Sequence, residues 1–98
     1  MAVLVSPQVK AELDDIWIYI ARESASSNIA DRVVDAITQT FVRLSKHPNL
    51  GRRRGDLRQG LRSLSSGSYV VIYRLQENNV RILHVVHGRR DIKAVIQH

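Results

Sequence analysis

The chain has 98 residues, enough for one domain spanning 1–98 with a modest core, and its 44% apolar and 24% charged residues argue against wholesale disorder. The absence of cysteine excludes a disulfide scaffold, a thiolate metal site and a cysteine nucleophile. The net charge of +6 is unevenly spread: residues 1–47 hold five cations and six anions, whereas residues 48–98 hold ten cations and three anions, which suggests a polyanionic or acidic partner for the C-terminal half.

The opening Met1-Ala-Val-Leu-Val-Ser-Pro is too short and uncharged for a secretory signal, and Ala2 to Val5 reads as a strand. Ser6-Pro7 marks a helix start, because serine accepts a bond from a free backbone N–H and proline suits the first helical position. Val9, Leu13, Ile16 and Ile20 then form one apolar stripe, which Trp17, Ile18 and Tyr19 widen almost around the helix. That half of the helix is therefore expected to lie under another element or to offer a partner an adhesive surface. The longest apolar run, Ile16 to Ala21, falls far short of the ~20 residues a membrane span requires. A cytoplasmic chain with no membrane contact is expected.

Glu23 to Asn28 is a polar break. Ile29, Val33, Ile37, Phe41 and Leu44 mark a second helix, with Asp31 near its positive end, Lys46-His47 near its negative end and Pro48 as its stop. Two such helices joined by a short link should form an antiparallel hairpin. Residues 48–60, with Pro48, Gly51, Gly55 and Gly60, read as a long loop. Leu61 to Ser65, Tyr69 to Leu75 and Val80 to His87 read as strands, with turns at Ser66-Gly67-Ser68 and Gln76 to Asn79. Asp91 to Gln97 is a short helix or a frayed tail. The order β-α-α-β-β-β(-α) implies an α+β fold: an antiparallel-rich twisted sheet with an N-terminal helix hairpin packed on one face and the other face more open.

Two segments carry chemistry. Arg52, Arg53, Arg54, Arg58 and Arg62 place five guanidinium groups in a glycine-containing stretch, and guanidinium forks match phosphates and carboxylates. The second is His84-Val-Val-His-Gly-Arg-Arg-Asp91. Histidines three apart on a strand point to opposite faces, so His84 and His87 do not form a simple metal pair, and no metal or cofactor is expected. His87, beside Arg89 and Arg90, is the better-placed proton shuttle. Tyr69 and Tyr73 share a strand face, and aromatics so placed can stack on bases. The guanidinium groups are expected to converge on one accessible flank opposite the helices.

The succession Asp15-Ile-Trp-Ile-Tyr-Ile-Ala21, Leu44-x-x-x-Pro48-x-x-Gly51, Gly60-Leu-Arg62, Tyr69-Val-Val-Ile-Tyr-Arg74 and Ile82-Leu-His-Val-Val-His-Gly-Arg-Arg-Asp91 resembles the RelE/ParE toxins of type II toxin–antitoxin systems. That resemblance implies the same fold, plus a toxin neutralised by a cognate antitoxin with an acidic, partly disordered C-terminal segment. RelE-like members cut messenger RNA in the ribosome; ParE-like members poison DNA gyrase. Past Arg90 there is no tyrosine, the only later histidine is His98, and no lysine lies between Lys46 and Lys93. This departs from the RelE-like catalytic pattern and favours the ParE-like branch, with no catalytic residues.

The expected target-binding residues are Arg52, Arg53, Arg54, Arg58, Arg62, Arg89 and Arg90. The expected antitoxin-binding residues are Trp17, Ile18, Tyr19, Tyr73 and Arg74. In the alternative RNase reading, His87 is acid or base, with Arg62 and Arg90 stabilising charge. A third reading is a non-toxic nucleic-acid-binding module.

Overall fold

The computed structural model describes residues 1–97; His98 lies outside the described residues. Strand β1 (Ala2–Val5) leads into helix α1 (Pro7–Ser24), where the Ser6 hydroxyl accepts the Val9 N–H at 3.2 Å and Pro7 occupies the first turn. The link to α2 (Ser27–Lys46) is only Ala25 and Ser26, shorter than the polar break in the sequence. Ala25 takes a left-handed conformation, and Ser26 caps α2 by accepting the Ile29 N–H. Trp17 Nε1 donates to Asp31 Oδ1 at 2.8 Å and ties the two helices together.

The rest of the chain forms β2 (Arg52–Arg53), β3 (Leu61–Ser66), β4 (Tyr69–Gln76), β5 (Asn79–His87) and the short helix α3 (Ile92–Ile96). The sheet order is β1-β5-β4-β3-β2, with β1 parallel to β5 and all other pairs antiparallel. Glu77 and Asn78 both have positive φ in the β4–β5 turn, the geometry a tight hairpin needs. Val71, Tyr73, Val80 and Ile82 face the hairpin and meet Val9, Ile37, Phe41 and Leu44 in the main core.

Two features differ from the sequence reading. The 48–60 loop contains β2, whose two exposed arginines pair with Ser63 and Arg62; a two-residue strand leaves no hydrophobic alternation to detect. The second sheet face is only half open, because Leu57, Ile92 and Ile96 pack there against Leu61 and Ile72. No helix among the described residues is long and apolar enough to cross a membrane.

Candidate functional site

The arginines do not converge. Arg54 makes a two-pronged contact with Asp56, at 3.0 and 3.1 Å, and reaches Ser63 Oγ. That guanidinium holds the Asp56 carboxyl below its ordinary range, chiefly through the hydrogen bond. Arg58 Nη2 donates to the Ile96 carbonyl at 3.0 Å and satisfies the end of α3. Arg62 Nη1 donates to the Gly51 carbonyl at 2.9 Å and to the Asn49 carbonyl at 3.4 Å. Three of the five loop arginines thus brace the loop itself. Arg52 lies with Arg54 beside α3, Arg53 lines a different groove with Arg62 and Leu75, and Arg89 and Arg90 lie beyond β5 against α1. The expected single flank is divided because alternate residues of β2 and β3 face opposite ways and β5 ends at the far corner of the sheet.

Tyr73 is fully buried. Its hydroxyl accepts the Gly51 N–H and donates to the Pro48 carbonyl, each at 2.8 Å. Burial raises its pKa, opposed by the Gly51 N–H and by nearby Arg62. A Cβ at Gly51 would stand 2.6 Å from the Tyr73 ring and hydroxyl and 2.8 Å from the Ser63 carbonyl oxygen, so only glycine fits. The Pro48-x-x-Gly51 spacing and Tyr73 are therefore one structural clamp between the end of α2 and the sheet. Tyr73 is enclosed and leaves the expected antitoxin surface.

At the other end of the sheet, β1 pairs only with residues 79–82 of β5, leaving the next stretch of that edge open. Glu12 of α1 takes over there. Its Oε1 accepts the Val85 N–H at 2.9 Å and its Oε2 lies 3.0 Å from His84 Nδ1. Sequence reasoning passed over Glu12, since nothing local marks a helix residue that completes a strand edge. His84 is accordingly a hydrogen-bonded structural residue. His87 is exposed, packs edge-on against the Tyr69 ring at 5.3 Å, and accepts the Arg89 N–H at Nδ1. It lines a groove of about 510 Å³ with Glu12, Asp15, Tyr19, Arg89 and Arg90.

Arg62 is remote from this groove. His87 pairs with Tyr69, and Tyr69 with Ser66; Arg62 is four residues further along β3. That separates the backbones by roughly 13 Å along the strands and roughly 10 Å across them. His87 and Arg90 share a groove, and Arg62 does not join them.

Part of the widened stripe on α1 reaches the surface. Ile18 is 42% and Tyr19 58% exposed, while Trp17 is half-buried on Asp31. Arg74, grouped with these residues in the sequence reading, lies on the opposite side of the sheet: it alternates with Tyr73 and Leu75, both turned to the hairpin.

Residues 3–92 match the family model described as the ParE toxin of type II toxin–antitoxin system, parDE. The chain belongs to the ParE toxin family. Toxin ParE3 of Caulobacter vibrioides is 37% identical over 88% of this chain and 85% of its own length. Toxin ParE1 of the same organism is 34% identical over 92% of each. Toxin RelE3, also from Caulobacter vibrioides, is 28% identical over 89% of this chain and 94% of its own length. A chain of the chromosomal ParDE TA system from P. aeruginosa superposes with a TM-score of 0.77 at 20% identity, covering 89% of this chain and 95% of that one, which shows the shared fold. The ParE-like branch of the sequence resemblance is thereby supported. In this ParE chain the Pro48, Gly51, Arg62 and Tyr73 elements of that resemblance are structural, while α1 and the end of β5 line an open groove and Arg52 and Arg53 are exposed on β2.

Proposed function

We propose that this chain is the toxin of a type II pair, that it inhibits DNA gyrase by binding without turnover of its own, and that a cognate antitoxin neutralises it. One observation carries binding over catalysis: Arg62 is committed to the Gly51 and Asn49 carbonyls, far along the sheet from His87 and Arg90. RNA cleavage by a histidine needs cations gathered around the developing phosphate charge, and this trio is not gathered. The uncommitted cations Arg52, Arg53, Arg89 and Arg90 remain as target contacts, joined by Arg54 and Arg58 where their exposed edges allow. The antitoxin covers Ile18 and Tyr19 with an acidic segment that folds on binding.

Purified gyrase tests this. Supercoiling should fall as the chain is added; unaffected supercoiling at toxin excess overturns the reading. The ribosomal RNase alternative draws on the groove shared by His87 and Arg90. Cleavage of messenger RNA on programmed ribosomes, abolished by His87→Ala in a folded chain, would replace gyrase inhibition with it.

A further inference from the structure

On the sheet face turned away from the helix hairpin, one cross-strand row reads Leu4, Arg81, Arg74, Leu61. The assignment to this face is fixed by neighbours: Val3, Val5, Val80, Ile82, Tyr73 and Leu75 all pack toward the hairpin. Leu61 is buried under Leu57 and Ile96, but Arg81 and Leu4 are exposed and Arg74 is half-exposed. The cover supplied by α3 and the loop thus stops at the Leu61 end of the row.

Arg74 and Arg81 are direct cross-strand partners. Like charges placed opposite each other on one sheet face repel and weaken the pairing. Three guanidinium groups nearby in the fold are tethered, Arg54 on Asp56, Arg58 on Ile96 and Arg62 on Gly51, whereas Arg74 and Arg81 stand opposite each other in register. Among the described residues, neither Arg74 nor Arg81 makes a side-chain hydrogen bond or ion pair. Two adjacent, untethered forks on the uncovered part of this face suit an anionic group that both can grip.

We infer that the Arg74–Arg81 pair binds backbone phosphates of double-stranded DNA. The choice of DNA over other polyanions rests on the gyrase reading above, since a toxin docked on gyrase lies beside the duplex that gyrase holds. Contacts are to phosphate, so the binding is sequence-independent and weakens as salt releases the counterion advantage.

The test is fluorescence anisotropy of a labelled 20-base-pair duplex titrated with the purified full chain at several salt concentrations, without gyrase. The unaltered chain should bind with a dissociation constant on the order of 10⁻⁴ to 10⁻⁶ M. The double variant Arg74→Gln, Arg81→Gln should bind at least about tenfold more weakly, with a log–log salt slope reduced by about two. Arg32→Gln, on the helix side, should bind like the unaltered chain. Circular dichroism and melting check that the variants fold, and each single variant should show an intermediate effect. Equal binding by the double variant overturns the inference. So does displacement of the duplex by poly-glutamate at equal charge concentration, which would assign the face to an acidic polypeptide. Failure to inhibit gyrase would remove the preceding reading and leave this readout intact.

Discussion

Tyr73 places a hydroxyl where no water reaches it, and both of its hydrogen-bonding roles are filled by the segment that follows α2. Tyr73→Phe keeps the ring and strands the Gly51 N–H and the Pro48 carbonyl. The expected cost is about 1–3 kcal/mol of unfolding free energy, measured by urea titration. The same residue sets an alkaline limit. Burial raises the Tyr73 pKa, and burial with help from Tyr19 raises that of Tyr69. The unfolded chain therefore releases these protons first, at about pH 10, while the folded chain still holds them. Stability from this source is complete below that pH and is lost as pH rises through the folded values, by up to about 1.4 kcal/mol per pH unit for each tyrosine. Melting temperatures taken upward from about pH 9 should fall, and Tyr73→Phe should flatten the fall. An unchanged slope in the variant would show that other groups control alkaline unfolding.

The elements differ in how much of them the sequence reveals. Both long helices were legible because burial of one face forces a repeat of three or four residues, seen in Val9, Leu13, Ile16 and in Ile37, Phe41, Leu44. The hairpin of β4 and β5 was legible from its β-branched runs. What stayed hidden depends on register. Arg58 meets Ile96 across 38 residues and Glu12 meets Val85 across 73, and no local pattern encodes such pairings. The open half of β5 is likewise a consequence of β1 being the shorter strand, and Glu12 is the answer to it. Glu12→Ala should leave the Val85 N–H without its acceptor and His84 with only Gln8 as a side-chain partner, lowering stability by about 1–3 kcal/mol. Glu12→Gln retains a carbonyl acceptor and should cost less. Amide hydrogen exchange at Val85 should accelerate in the alanine variant. Protection at that amide equal to the unaltered chain would mean that another group closes the edge.

Across the whole molecule, charge and apolar surface are sorted by position. Residues 1–47 carry a slight negative excess and present Ile18 and Tyr19, whereas the ten cations of residues 48–98 belong to the sheet, its loops and α3. If target and antitoxin use these two regions, substitutions should separate the two activities. Arg89→Gln with Arg90→Gln removes charges that hold no secondary structure together, since both side chains are exposed beyond β5. This variant should fold normally and inhibit gyrase at least about tenfold less well, equivalent to about 1.4 kcal/mol of binding, with weakened dependence on salt because charges at an interface rim act through electrostatic steering. Ile18→Ser with Tyr19→Ser should do the reverse. Inhibition of gyrase should persist, while co-expression with the proposed cognate antitoxin should no longer restore growth, since an apolar anchor site lost from an interface costs more than the polar contacts around it. Equal loss of both activities in either variant would place target and antitoxin on one shared surface, where neutralisation is direct occlusion. Divergent losses would instead show that neighbouring residues around one groove, Tyr19 on α1 and Arg89 and Arg90 beyond β5, serve antitoxin and target separately.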